Sequence, residues 1–242
     1  MAGPRGRSFH LVPVQKKSRA SAPLITPGAV GSGFAAGRNL DTMSLEAESK
    51  QLAQIDSKFA SLVATYGYCD LSPGPDGFTA LCRSLIGQQL AKSAAVSIYR
   101  RFCELFPDGT PEPQLAADLS FNALSVVGVS KRKSSYIHAL AASITDGSLP
   151  LRQMGNLEDD DVIGHLIGVN GIGRWTAQMY LIFTLARLDV FPEGDTAVAL
   201  AMKSLYGETH AGTEESRVRV ANSWKPVRSV ATWYLYKYRD GT

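Results

Sequence analysis

The stretch Val169-Asn170-Gly171-Ile172-Gly173-Arg174-Trp175-Thr176, with the lone carboxylate Asp195 that follows it, decides how this chain is read. Apolar residues at helical spacing flank the block, with Val162, Ile163, Leu166 and Ile167 forming the stripe before it. The pattern is helix, very tight turn, helix. Glycines at 171 and 173 let the backbone take positive φ and leave no Cβ between the turn and whatever approaches it. The second helix then opens with N–H groups that lack partners within the helix and with the positive end of its dipole, an arrangement that attracts phosphate. Asn156, with Asp159 at the third helical position, is expected to cap the first helix.

This is a helix-hairpin-helix pattern, which grips one nucleic-acid strand by its backbone without reading sequence. Downstream, Asp189-Val190-Phe191-Pro192-Glu193-Gly194-Asp195 is marked as a loop by Pro and Gly, and a new helical run extends from Thr196 to Tyr206. Asp195 stands directly before that run, where it suits an N-cap. Cap and catalyst are compatible roles. A carboxylate at a helix N-terminus is held ionised by the dipole and nearby N–H groups. Such a group can face a cationic sugar and orient or deprotonate water, and is ill suited to be a general acid. Glu193 is expected to be solvated, and Asp189 to be an ordinary loop residue.

The chain resembles the helix-hairpin-helix DNA glycosylase superfamily, and within it the 3-methyladenine DNA glycosylase II (alkylated-base) branch. The resemblance rests on Gly-Ile-Gly-Arg-Trp-Thr-Ala at 171–177, the loop at 189–195, Leu-Ile-Gly-Gln-Gln-Leu at 85–90, Gly128 to Lys133, and Trp224-Lys225-Pro226-Val227-Arg228-Ser229. These motifs keep a consistent order from Leu45 to Tyr238. The resemblance implies an all-α fold: a two-lobed helical bundle with the hairpin, a Gly/Pro-rich loop ending in a catalytic Asp195, and an active-site cleft between the lobes. It implies a monofunctional enzyme of base excision repair that hydrolyses alkylated purines from duplex DNA. Relatives with lyase activity carry at position 175 a Lys that forms a Schiff base with the sugar. Trp175 stands there in this chain, so water is the expected nucleophile.

By the same resemblance Trp175, Tyr236 and Met179 line the base pocket, although an indole in an apolar helix also reads as core packing. Gly171, Gly173, Arg174 and Thr176 are expected at a phosphate. The junction at Gly87-Gln88-Gln89 is expected to face the minor groove, with Gln89 at the lesion pair or the partner strand. Lys131 falls where relatives wedge a side chain, often an apolar one, into the base stack. Lys131, Arg132 and Lys133 also read as phosphate contacts, or as an ordinary solvated face. The family hairpin binds a monovalent cation, Na+ or K+, through main-chain carbonyls, which by position are those of Ile167, Val169 and Ile172. No other cofactor is expected to be required. The expected partner is double-stranded DNA containing damaged bases, met by a monomer away from membranes.

The rest of the chain bounds these expectations. At 242 residues and 45% hydrophobic it can bury a substantial core. No apolar run reaches the length of a membrane span. Cys69, Cys82 and Cys103 show no paired spacing, which points to a reducing compartment, and three cysteines cannot supply a four-cysteine iron–sulfur site. The expected location is cytoplasm or nucleoid in a bacterium, nucleus or organelle in a eukaryote. Residues 1–43 read as a disordered basic tail, with Arg5, Arg7, Lys16, Lys17, Arg19 and Arg38 and no acid before Asp41. A transit peptide and a non-specific DNA-binding arm both fit it. The glycosylase domain is then residues 44–242. Since the whole chain carries +3, that domain is mildly acidic, and DNA affinity must come from local basic groups and backbone donors. Rival readings are a glycosylase of the same superfamily for mismatched thymine, uracil or oxidised bases, a non-catalytic hairpin module, and a lyase using another amine such as Lys203.

Overall fold

Apolar residues at helical spacing (Leu45, Leu52, Ile55, Phe59, Leu62 and Val63) run through 44–66, and in the computed structural model, which describes residues 45–241, this pattern is split in two. The tail of residues 1–43 lies outside the described residues. Helix α1 (Glu46–Ile55) stops at Asp56, and α2 (Ser57–Tyr66) begins after it. Asp56 causes the break. One carboxylate oxygen caps α2 by accepting the Lys58 N–H at 3.0 Å, and the other accepts Tyr206 Oη–H at 2.6 Å and Trp224 Nε1–H at 3.2 Å. A periodicity that reads as one helix over 44–66 is therefore bent back on itself by a polar residue whose partners lie 150 and 168 positions away.

Helices α3 (Gly77–Gly87) and α4 (Lys92–Cys103) meet at the expected Gly87-Gln88-Gln89 junction. Short helices α5 (Pro113–Asp118) and α6 (Phe121–Val126) lead to α7 (Lys131–Thr145). The sequence pattern suggests that α7 starts at Ser134. It starts three residues sooner because Ser130 caps it, its Oγ accepting the Lys133 N–H at 3.4 Å. Lys131, Arg132 and Lys133 thus form the first turn of a helix and not a loop ahead of one.

A 3-10 stretch, Leu151–Asn156, precedes α8 (Asp159–Ile167). Here the expected cap is corrected. Asn156 closes the 3-10 stretch, and the residue before α8 is Glu158, which makes no side-chain cap bond. Asp159, Asp160 and Asp161 in the first turn meet the helix dipole instead. The chain continues through α9 (Arg174–Phe183), α10 (Thr196–Tyr206), α11 (Glu208–Ala211), α12 (Glu214–Asn222) and α13 (Arg228–Asp240). Among the described residues there is no strand, only a single antiparallel bridge between Leu45 and Cys69.

Packing sorts the helices into two groups. Helices α1, α2 and α10 to α13 pack chiefly on one another, and α3 to α9 do the same. One apolar core runs through both, since amphipathic helices this short are stabilised by burial more than by propensity. Trp224 anchors the first group, edge-on to Phe59 with ring centres 5.2 Å apart. The loop after α9 fastens α13 down. Arg228 donates to Asp189 through Nε at 2.7 Å and Nη2 at 2.9 Å, and Ser229 Oγ accepts the Val190 N–H at 2.9 Å. Asp189 is therefore a half-buried anchor with a guanidinium partner, not a plain loop residue. Cys69, Cys82 and Cys103 are free thiols. No helix among the described residues is long and apolar enough to cross a membrane.

Candidate active site

The loop that leaves the C-terminal end of α9 doubles back to that helix's first turns. Gln178, on α9, donates through Nε2 to Phe191 O at 3.2 Å and to Glu193 Oε2 at 2.6 Å. Arg174 at the helix start donates through Nε to Glu193 Oε1 at 2.9 Å. Asp195 N–H closes on Pro192 O at 3.0 Å, and the next residue opens α10. Arg174 and Gln178 are four apart, so helical spacing puts them on one face, and both reach the same carboxylate. Glu193 is thus pinned rather than solvated. Burial pushes its carboxyl up, but bonds from its own backbone N–H, from Arg174 and from Gln178 outweigh that and hold it below the usual glutamate value.

Asp195 lies at the junction of the two packing groups and is only 4% exposed. Its Oδ1 caps α10 by accepting the Val198 N–H at 2.8 Å. Its Oδ2 accepts Trp175 Nε1–H from α9 at 2.6 Å and Tyr236 Oη–H from α13 at 2.9 Å. All three donors are neutral. Asp189 and Glu193, in contrast, each face an arginine. The Asp195 carboxylate is therefore met by neutral dipoles and by no formal positive charge. Burial first, then the Asp195 charge, raises the Tyr236 phenol well above its ordinary value, so it remains a donor.

The expected pocket residues converge here, in an arrangement that spacing alone did not convey. Both aromatics turn their polar edges to the carboxylate. Tyr236 is 4% exposed and packs tilted against Phe183 at 6.0 Å, with Met179 Sδ 3.4 Å from its hydroxyl. It is enclosed and presents no open face, whereas Trp175 is half-buried.

At the hairpin, Ile172 N–H bonds to Val169 O at 3.1 Å, and Ala177 N–H, at the first helical bond of α9, to Gly173 O at 3.1 Å. The N–H groups of the turn preceding that bond point out of the helix. Only Gly171 needs its glycine for backbone reasons, with φ 95°. A Cβ there would also meet the Tyr136 ring at 2.3 Å. Gly173 is a correction: its φ of −95° suits any residue, and a Cβ would meet nothing within 4 Å. Its lack of a side chain keeps space open in front of the helix end. Thr176 is buried, so its hydroxyl does not face a phosphate, and what it can offer is a first-turn backbone N–H without an intrahelical partner. Of the three carbonyls expected around a cation, Val169 O already accepts Ile172 N–H, which leaves its second lone pair.

The α3–α4 junction and the start of α7 abut the hairpin. Gln88 Nε2 donates to Gly171 O at 3.0 Å, and Arg132 Nη2 to Gln89 Oε1 at 3.4 Å. Gln89 and Lys131 are exposed. Lys133 is not: its ammonium turns inward to Ile86 O and Gln88 O, both at 2.7 Å, so the expected phosphate-binding trio reduces to Lys131 and Arg132. Gln178 and Tyr136 are site residues that the sequence reading does not single out, and Gln88, in the junction expected to face the minor groove, turns its amide to the hairpin. Lys203 is ion-paired with Glu208.

Comparison with known proteins agrees with this geometry. An alkylbase DNA glycosidase-like protein of Schizosaccharomyces pombe is 31% identical over 193 residues, 78% of this chain and 91% of that protein. The structure of a DNA-3-methyladenine glycosidase from Bacillus halodurans superposes with TM-score 0.71 at 32% identity, covering 84% of this chain and 93% of that one. The S. pombe 3-methyladenine DNA glycosylase in complex with abasic DNA gives TM-score 0.72 at 28% identity, covering 79% and 95%. The family model of HhH-GPD superfamily base excision DNA repair proteins matches residues 82–226, more than half of the chain, and spans the hairpin, the doubled-back loop and Asp195. The chain belongs to the HhH-GPD superfamily of base excision DNA repair proteins.

Proposed function

We propose that this protein is a monofunctional DNA glycosylase that hydrolyses the N-glycosidic bond of alkylated purines, of the 3-methyladenine type, in duplex DNA and leaves an abasic site. The observation that carries the reading is the enclosed carboxylate of Asp195, held by Trp175 and Tyr236 next to the hairpin. The names of the relatives support it.

An alkylated purine is cationic, so its bond to the sugar is already weak and its departure needs little protonation. What remains is to extract the base, hold it and stabilise the sugar cation. Extraction costs a few kcal/mol and is cheapest for a damaged base. The half-buried Trp175 favours an electron-poor ring by cation–π attraction, about 1–2 kcal/mol when desolvated. Asp195 then faces the positive charge that develops on the sugar and directs water to it. Because its donors are neutral, the sugar meets an uncancelled anion. With Trp and not Lys at position 175, water is the attacking group.

Binding follows the same division. The N–H groups at Gly173 to Thr176 receive a phosphate across the open space at Gly173, and Lys131 and Arg132 add charge, while Arg174 at the same helix start is paired with Glu193. Gln89 reaches the lesion pair or partner strand. The carbonyls of Ile167, Val169 and Ile172 are hard oxygen donors fit for Na+ or K+, which would stiffen the turn. The DNA lies in the cleft between the two helical groups, and the protein acts as a monomer.

The test is base release from randomly methylated duplex DNA, with the freed bases separated chromatographically and borohydride added to a parallel sample. Free 3-methyladenine with no trapped protein–DNA adduct is expected. Release only of uracil, thymine or an oxidised base from a lesion panel would overturn the substrate class. Absence of any release would leave a non-catalytic DNA-binding module.

A further inference from the structure

Lys133 is a cation with 9% exposure, and its ammonium serves two carbonyls of one short turn. Ile86 O belongs to the last turn of α3, where carbonyls lack helical partners and the dipole is negative, and Gln88 is that helix's C-cap. The chain turns between Gly87 and Leu90, with Leu90 N–H bonding to Gly87 O at 3.2 Å. Gln88 has φ −51° and ψ 129°, and Gln89 has φ 57°. These are the angles of a type II turn, whose third position normally calls for glycine. Type I differs from it by a flip of the central peptide, here Gln88–Gln89. The carbonyl of that peptide is one of the two that Lys133 holds.

The same turn is tied to the hairpin. Gln88 Nε2 reaches Gly171 O at 3.0 Å, and Tyr136, one helical turn beyond Lys133 on α7, packs its ring where a Cβ of Gly171 would stand. Gln89 is exposed, with Arg132 alongside. A strained residue held by a buried charge at a surface turn points to function.

We propose that Lys133 is a positioning residue that locks the Gln88–Gln89 peptide in its flipped orientation, so that Gln88 braces the hairpin while Gln89 is presented to DNA. The proposal rests on the functional reading above. Without the ammonium, the turn relaxes toward type I, Gln89 leaves positive φ and its side chain is re-aimed.

The test is binding of wild type, Lys133→Met, Gln89→Ala and the double variant to a fluorescent duplex with a tetrahydrofuran abasic site, followed by anisotropy over a range of salt. Lys133→Met should weaken binding about as much as Gln89→Ala does, up to the order of tenfold, as for loss of one hydrogen bond to DNA. Its loss and that of Gln89→Ala should be coupled by about threefold or more. Its salt slope should match wild type, because Lys133 touches no phosphate. A slope lowered by about 0.9, the mark of a lost phosphate contact, would overturn the proposal, as would weaker coupling. If Lys133→Met does not fold, Lys133→Gln, which keeps a donor, is judged by the same two criteria. Wild type that binds the abasic duplex no better than undamaged DNA would defeat the functional reading and this proposal with it. Wild-type preference with independent losses would defeat the proposal alone.

Discussion

The hairpin at Val169–Gly173 and the carboxylate pocket at Asp195 lie at the same end of α9 but are built from different materials. The hairpin offers backbone: N–H groups at a helix start, a left-handed Gly171, and open space at Gly173. The pocket offers side chains, in which an indole, a phenol and one helix N–H converge on a single carboxylate. A backbone device tolerates change in side chains provided the turn keeps its shape. A side-chain device fails when one functional group is exchanged at constant shape. Changes in the hairpin should therefore appear in Kd and stability, and changes in the pocket should appear in kcat.

Gly171→Ala should have the largest effect on the hairpin side. Positive φ costs a non-glycine residue about 1–2 kcal/mol, and displacing the Tyr136 ring adds a similar amount. The protein should lose about 2–4 kcal/mol of stability in urea unfolding. Abasic-duplex affinity should fall, with kcat at saturating DNA little changed. A loss confined to kcat would dissolve the distinction. Trp175→Phe removes the 2.6 Å donor to Asp195 while keeping an aromatic ring. It should lower kcat by roughly 30-fold, corresponding to about 2 kcal/mol, and leave abasic-duplex Kd within about twofold.

Tyr236→Phe removes the second Oδ2 donor and should lower kcat by about tenfold, again with Kd preserved. Single-turnover kinetics on a lesion duplex separates these two variants from a binding defect. The smallest effect belongs to Lys131→Ala, at an exposed position in the first turn of α7. It should weaken binding a few-fold and reduce the salt slope by about 0.9, as expected for one lost phosphate contact. A kcat effect there that exceeds its Kd effect would move Lys131 from the gripping side to the chemical side.

Much of the hairpin and the carboxylate was legible in the sequence because each announces itself locally. A tight Gly-x-Gly turn between apolar stripes and an Asp before a helical run need no distant partner to be recognised. The position of Asp195 relative to Trp175 came only through the family resemblance, since 20 residues of helix and loop separate them. What periodicity could not reveal are bonds that cross the fold. The Asp56 carboxylate breaks an apparently continuous helix for partners on α10 and near α13, and no local feature names Tyr206 or Trp224.

Two other misses had a readable signal. Arg174 and Gln178 share a helix face, which marks them as joint partners for a returning loop. Reading Ser130 as the cap of α7 would have set Lys133 in line with the buried Ile137 and Leu140, apart from the exposed Lys131. Gly173 failed for a further reason: the same residue type serves backbone freedom at 171 and ligand clearance at 173, and sequence alone does not tell these apart.

The most direct measurement is single-turnover release of 3-methyladenine from a methylated duplex by wild type and Asp195→Asn, with abasic-duplex Kd determined for both. Asparagine is close in shape and its amide oxygen can keep the cap of α10, but it removes the charge and sets an NH2 donor against the Trp175 N–H in place of an acceptor. The release rate should fall by at least about a thousandfold while Kd stays within about threefold. A variant that releases base at close to the wild-type rate would contradict the assignment of Asp195 as the anion that faces the sugar.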